Sequence, residues 1–257
     1  MTFRTFLTAL ALTFLPVVAS ALTQAEVDAI IKGVDERQRN SGDWKSQVYI
    51  EQKETDKTDV VYDAVVYRRD ANDALIILFV APKAEAGKGY LRIDKNLWFY
   101  DPRVGKWERR TERERIGGTG SNRQDFDESR LAEEYDATFV KEDKLGRYMA
   151  NVIDLKAKAG VDVAYPALKM WTDKETGNVL KRQELAASGK LMRTTFYPKW
   201  KKAFSQSKGS DVWYPEEIRV FDEIEKGNRT TVLIRQVDFN ALPANIFTKA
   251  WLESKSR

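Results

Sequence analysis

From Trp44 onward the apolar residues recur at every second position. That spacing places them on one face of a β-strand, whereas a helix would need a period near 3.6. Lys45–Glu51, Asp59–Arg69, Ala74–Ala81, Tyr90–Asp94, Asn96–Tyr100 and Lys106–Arg115 read as strands, separated by polar turns such as Glu54–Thr58 and Asp70–Asp73. Further strands are predicted over Tyr148–Ala157, Ala167–Asp173, Val179–Ala187, Leu191–Tyr197, Glu216–Glu223 and Thr230–Phe239. Leu75–Val80 is apolar at every position, so this strand must be covered on both faces or line a cavity.

The exception is the start. Thr23–Asn40 predicts a helix: Thr23 is placed to cap it, Glu26 stands at the capping-box spacing, and Val27, Ile30, Ile31 and Val34 form one stripe. Asp125–Tyr135 also reads as helical, after a glycine-rich stretch Ile116–Ser121 that suits a mobile gate or lid. Strands and helices do not alternate as βαβ units, and no low-complexity linker divides the chain. The fold class this predicts is mainly β (α+β): one antiparallel sheet large enough to curl, with helices on its concave side.

Composition narrows the chemistry. The 257 residues include no Cys and no His, which excludes Ser-His-Asp triads, Cys nucleophiles, disulfides and zinc sites of the usual ligands. No metal or organic cofactor is expected. The net charge of +4, from 43 basic and 39 acidic residues, is too small an excess to argue for a nucleic-acid partner. Residues 1–21 read as a secretory signal peptide: Arg4 precedes an apolar stretch over Thr5–Val18, broken by Pro16, and Ala19-Ser20-Ala21 offers a cleavage site. The mature protein is then expected in the periplasm as a single domain over residues 22–257, and without a cysteine after the cut it carries no lipid anchor of its own.

Several segments admit two readings. The carboxylates Asp125, Asp127, Glu128, Glu133 and Glu134 would serve an acid–base pair, but they fit a charged helix face equally well and no spacing singles out a pair, so no catalysis is expected. Tyr197–Phe204 mixes lysines with aromatics and reads as an exposed loop with its aromatics turned inward, or as a patch that touches a membrane. Arg109, Arg113 and Arg115 form a row that either protects an edge strand from pairing or meets an anionic head group at a cavity rim, and the edge reading is preferred.

Tyr90–Pro102, Leu168–Gly177 with Lys181–Glu184, Tyr214–Asp222, Val237–Pro243 and Ile246–Thr248 follow one another in an order that resembles the outer-membrane lipoprotein-sorting proteins of the LolA-like superfamily. The resemblance implies an unclosed antiparallel half barrel with helices as a lid, shielding acyl chains of a lipoprotein or lipid across the periplasm. It also implies an inner-membrane exporter of the RND/MMPL type and an outer-membrane acceptor as partners. The alternative is an accessory subunit of such an exporter with no lipid cargo of its own. For the lipid-binding cavity, alternation and size select Val65, Leu78, Val80, Leu91, Trp98, Tyr100 and Met170. Gly117, Gly118, Gly120, Arg109 and Arg113 are the expected lid or rim residues.

Overall fold

The computed structural model describes residues 22–93 and 96–256, so the expected signal peptide lies outside the described residues. The first helix, α1 (Gln24–Gln38), is capped as the sequence predicts: the Glu26 backbone N–H donates to Thr23 Oγ1 (3.3 Å) and the Thr23 N–H donates to the Glu26 carboxylate (2.8 Å). Val27, Ile31 and Val34 form its buried stripe.

Two antiparallel meanders follow. The first holds β1 (Asp43–Lys53), β2 (Val60–Arg69), β3 (Ala74–Ala81), β4 (Gly89–Ile93), β5 (Asn96–Asp101) and β6 (Lys106–Arg110). After α2 (Leu131–Glu134), the second holds β7 (Tyr135–Leu145), β8 (Tyr148–Ala157), β9 (Ala167–Asp173), β10 (Val179–Leu185), β11 (Leu191–Ser205), β12 (Ser210–Asp222) and β13 (Arg229–Asp238). They join where β1 pairs with β13, with Val48 opposite Ile234 and Ile50 opposite Val232. The result is one 13-stranded sheet with β6 and β7 as its two unpaired edges. The sheet curls without closing: one core gathers residues of α1 and of every strand except β6. We refer to the face carrying this core as the inner face.

Alternation decides what each face carries. Trp44, Val48 and Ile50 of β1, Ala64 and Val66 of β2, and Leu75, Ile77 and Phe79 of β3 are buried on the inner face. Ile76 and Leu78 point outward and are covered by Leu252 of a C-terminal helix, α3 (Lys249–Lys255). The all-apolar β3 is therefore covered on both sides, as its sequence requires. α1 and α2 lie on the concave side, as the sequence predicts, and α3 sits in addition on the outer face. It is held there by Trp107 Nε1 donating to Glu253 (2.6 Å) and by Lys249 stacked 3.6 Å above the Trp98 ring. Leu252 is fully buried, so Leu252→Ala is expected to cost about 2–5 kcal/mol in denaturant unfolding. A loss below about 1 kcal/mol would mean that α3 is not docked as described.

Three expectations are corrected. The helix predicted over Asp125–Tyr135 is a single turn at Arg123–Asp125 followed by the four-residue α2, because its charged side chains turn inward to bond with the sheet. β7 had no counterpart among the predicted strands; Tyr135 and Ala137 are buried at its start, but Lys141–Lys144 are all charged, so no apolar face runs along its length. The basic-aromatic stretch Tyr197–Phe204 is strand, with Lys199 and Lys201 both paired to Glu216 and Lys202 to Asp211 across the β11–β12 hairpin.

Candidate functional site

Residues 111–134 connect β6 to β7 and so must travel from one free edge of the sheet to the other. They do so as a strap across the inner face. Only Ile116, Phe126 and Leu131 anchor it as large buried apolar side chains. Most of its remaining attachment is polar.

The first attachment is at Gly117. Its N–H donates to Tyr90 Oη (3.2 Å) and its carbonyl accepts from Tyr62 Oη (3.1 Å), and both tyrosines belong to an aromatic row with Phe79 and Phe99. The backbone is left-handed here (φ +62°) and a Cβ would stand 3.0 Å from Phe79 Cζ, so only glycine fits without displacement. Three residues on, Gly120 N–H donates to Gln52 Oε1 (3.0 Å) and Thr230 Oγ1 (2.7 Å), and its carbonyl accepts from Arg193 Nη1 (2.8 Å). The glycine-rich stretch read from sequence as a mobile loop is fastened on both sides.

Two buried ionic clusters complete the fastening. In the first, Arg123 bonds both Glu112 and Asp127, with Arg92 (3.7 Å) and Arg130 (3.6 Å) also facing Asp127. Arg130 and Arg39 then share Glu128, at 3.1 and 3.0 Å. In the second, Asp125 accepts from Arg193 Nη2 (2.7 Å) and Arg182 Nη2 (3.2 Å), and the same guanidinium groups reach Glu184. Arg182 and Glu184 lie on β10 and Arg193 on β11, so this quartet joins strap to sheet with balanced charge. Burial opposes the charged form of Arg193, yet Asp125 and Glu184 hold its guanidinium well above the ordinary range. The five carboxylates read as a solvated helix face are therefore divided: Asp125, Asp127 and Glu128 are buried ion-pair partners and Glu133 is exposed, with Glu134 3.9 Å from Arg123.

α1 supports the strap as well. The Asp35 carboxylate accepts from Ser129 Oγ (2.6 Å) and from the N–H groups of Leu131 (3.0 Å) and Ala132 (2.8 Å), at the start of α2. Burial raises the Asp35 and Glu134 pKa values, favouring protonation in the folded state. Asp127 is shifted the other way: burial would raise it, but the field of Arg123, Arg130, Arg92 and Arg68 holds it below the usual carboxylate range. Raised carboxyls add stability as pH falls through their folded pKa; a depressed one loses its contribution as pH falls below its ordinary value. The urea midpoint is thus expected to hold or rise between neutrality and about pH 5, then to fall below about pH 4. A marked fall already at pH 5 would contradict these assignments.

Beneath the strap, among Val66, Phe126, Met170 and Ile218, the free space is only about 60 Å³, enough for a few waters. A cavity of about 400 Å³ lies beside Gly120, Ser121 and Asn122, bounded by Arg193 and Met192 of β11, Val220 of β12 and Thr230 of β13. A groove of about 610 Å³ follows the outward side chains Leu180, Phe196 and Phe221.

Of the residues selected from sequence for a cavity, only Met170 lies on the inner face. Leu78, Leu91 and Tyr100 pack in the outer cluster around Leu252, Trp98 lies under Lys249, Val65 alternates with the inward Ala64 and Val66, and Val80 is 51% exposed. The selection is off by one position. A strand apolar on both faces gives no sign of which face is which, and a shift of one inverts the whole set. The inward Ile77, Phe79, Tyr90 and Leu97 were missed for that reason. Among the rim residues, Gly120 and Arg113 line the 400 Å³ cavity, as does Arg115; Gly117 and Gly118 lie nearer the Tyr62–Tyr90 anchor. Arg109 is exposed on β6 opposite Trp98, and since β6 ends at Arg110 the three arginines do not form one row.

A family model described as "Uncharacterized protein" matches residues 71–254. No curated protein matches the chain. Among solved structures, a LolA superfamily protein from Nitrosomonas europaea is similar at a TM-score of 0.75 and 19% identity, over 88% of this chain and 98% of its own. A domain assigned to the outer membrane lipoprotein-sorting proteins, from Vibrio parahaemolyticus, gives 0.77 and 17% over 90% and 100%. A DUF1329 family protein from Desulfovibrio piger gives 0.75 and 18% over 89% and 97%. At these identities the likeness concerns the fold, which is LolA-like.

Proposed function

The chain belongs to the family whose model matches residues 71–254, and from its LolA-like fold and the construction of its strap we propose that it is a periplasmic carrier that binds acyl chains of a lipoprotein or lipid against its inner face. Delivery from an inner-membrane exporter to an outer-membrane acceptor is part of the same reading, and the leader expected at residues 1–21 would place the protein between the two membranes.

The observation that carries it is the contrast between the inner face and its cover. The face carries one apolar core that runs from β1–β5 to β7–β13, interrupted by the charged and polar side chains that bond the strap; the strap over it contributes three large apolar side chains and is otherwise attached by ion pairs and hydrogen bonds. Polar attachments can be exchanged for water at modest net cost, about 0.5–1.5 kcal/mol per neutral hydrogen bond. An uncovered apolar face cannot, and it calls for an apolar guest. Burying acyl carbons is worth about 0.8 kcal/mol per CH₂, so a single long chain supplies on the order of 10 kcal/mol before ordering costs. The 60 Å³ beneath the strap corresponds to the closed state, and loading requires the strap to lift.

Native mass spectrometry of the mature protein, purified from periplasm without detergent, tests this. An acyl-containing species bound near one to one is expected, together with uptake of a fluorescent acyl probe. Lipid-free protein that takes up no probe would overturn the carrier reading, and a stable complex with an exporter under those conditions would establish the accessory-subunit alternative.

A further inference from the structure

The 400 Å³ cavity has a chemical bias that acyl-chain binding does not explain. Four arginines line it, Arg113, Arg115, Arg193 and Arg229, against one carboxylate, Asp222. Asp222 Oδ1 is engaged by the N–H groups of Ile224 (2.8 Å) and Glu225 (2.9 Å). Arg193 is neutralised within the buried quartet. Among the described residues, Arg113, Arg115 and Arg229 form no ion pair.

Unpartnered donors lie on the same lining residues, behind the cavity surface. Of the ten buried side-chain polar atoms without a hydrogen-bond partner among the described residues, four belong to this lining: Ser121 Oγ, Asn122 Nδ2, Arg193 Nε and Arg229 Nε. Ser121 is fully buried and Asn122 is 4% exposed. The Asn122 orientation is fixed because its Oδ1 accepts from the Gln124 N–H (3.0 Å), which leaves the amide nitrogen free to donate. All four atoms can donate, and a buried donor left without an acceptor costs about 1–3 kcal/mol. Met192, Val220 and Ala187 make part of the lining apolar, and the volume falls within the usual ~300–1,000 Å³ of small-ligand sites.

We propose that this cavity binds the anionic head group of a single-chain amphiphile, a carboxylate or a phosphate monoester, with the first part of its chain along the Met192–Val220 wall. The inference rests on the carrier reading and adds a specificity to it: the cargo is selected by its charged end as well as by its chain. Guanidinium groups suit both oxyanions, since each presents two or more acceptor oxygens in a plane that matches the fork of donors.

The test is calorimetric titration of the mature protein, residues 22–257, with decanoate, decyl phosphate, decanol and inorganic phosphate. At least one of the ten-carbon anions is expected to bind tenfold or more tightly than decanol, and the tighter of the two identifies the source of the head group. The double variant R113Q/R229Q is expected to remove that preference while leaving decanol affinity and the thermal midpoint unchanged; R109Q, on the outer face, is expected to change nothing. Decanol binding as tightly as both anions, unaffected by the double variant, would overturn the head-group site and leave the carrier reading standing. Arginine-dependent binding of inorganic phosphate without binding of any ten-carbon ligand would keep an anion site but overturn both the amphiphile and the carrier. Binding of none of the four would overturn both inferences.

Discussion

Asp125→Ala is expected to cost about 3–5 kcal/mol of folding stability, the scale for removing one member of a buried ion pair. The carboxylate is fully buried and is shared by Arg182 and Arg193, with Glu184 as their other acid partner in the quartet. Removing it leaves two buried guanidinium groups against one carboxylate, an uncompensated positive charge. Asp125 also accepts from the Asn122 N–H (2.9 Å), so the turn that begins at Arg123 loses one half of its capping box in the same step. The site of the loss is specific. The strap has few apolar contacts of its own, so it should open at lower free energy than the sheet does. Trypsin under native conditions is therefore expected to cut the variant at Arg123 and Arg130, which are buried in the wild type. A variant within about 1 kcal/mol of wild type in urea, with both arginines still protected, would show that Asp125 does not hold the strap.

The legibility of the sequence follows the same division between sheet and strap. Period-two alternation marked most strands, because half-buried strands write their faces into the chain, and β3, β8 and β9 were bounded to the residue. The capping box of α1 was legible for a similar reason: it is a local arrangement within four residues. The site was less so. Arg182, Glu184 and Arg193 occupy inward positions of β10 and β11, directly across from Met170, Leu168 and Glu184 in the pairing. Charges at core-facing positions were the available signal, but their partner Asp125 is 57 and 68 residues away in sequence, and no local rule joins them. The strap misled for a related reason. Arg123 and Asp127 have the i, i+4 spacing that stabilises a helix, and the structure uses that pair to close a buried cluster instead. Arg113 and Gly120 stand out in the sequence because glycine and repeated arginine are conspicuous, whereas the inward strand positions needed a register that alternation alone leaves open.

If loading requires the strap to lift, fixing it to the sheet should block acyl uptake. Gly120 and Thr230 offer the place: a Cβ at Gly120 would stand 3.5 Å from Thr230 Cβ, within the range of a disulfide. Gly120 does not have a positive φ, so cysteine is tolerated there, and the chain has no native cysteine to mispair. The double variant Gly120→Cys/Thr230→Cys is expected to take up a fluorescent acyl probe when reduced and to lose at least tenfold in uptake rate when oxidised. Dithiothreitol should restore it. The two sulfur atoms occupy nearly the same volume in either state, so a redox-dependent difference reports the freedom of the strap rather than the shape of the neighbouring cavity. Each single-cysteine variant should show no redox dependence. Equal uptake by the oxidised and reduced forms, with the disulfide verified by mass, would mean that acyl chains reach the protein without strap release, and the 400 Å³ cavity would then be the place to look for them.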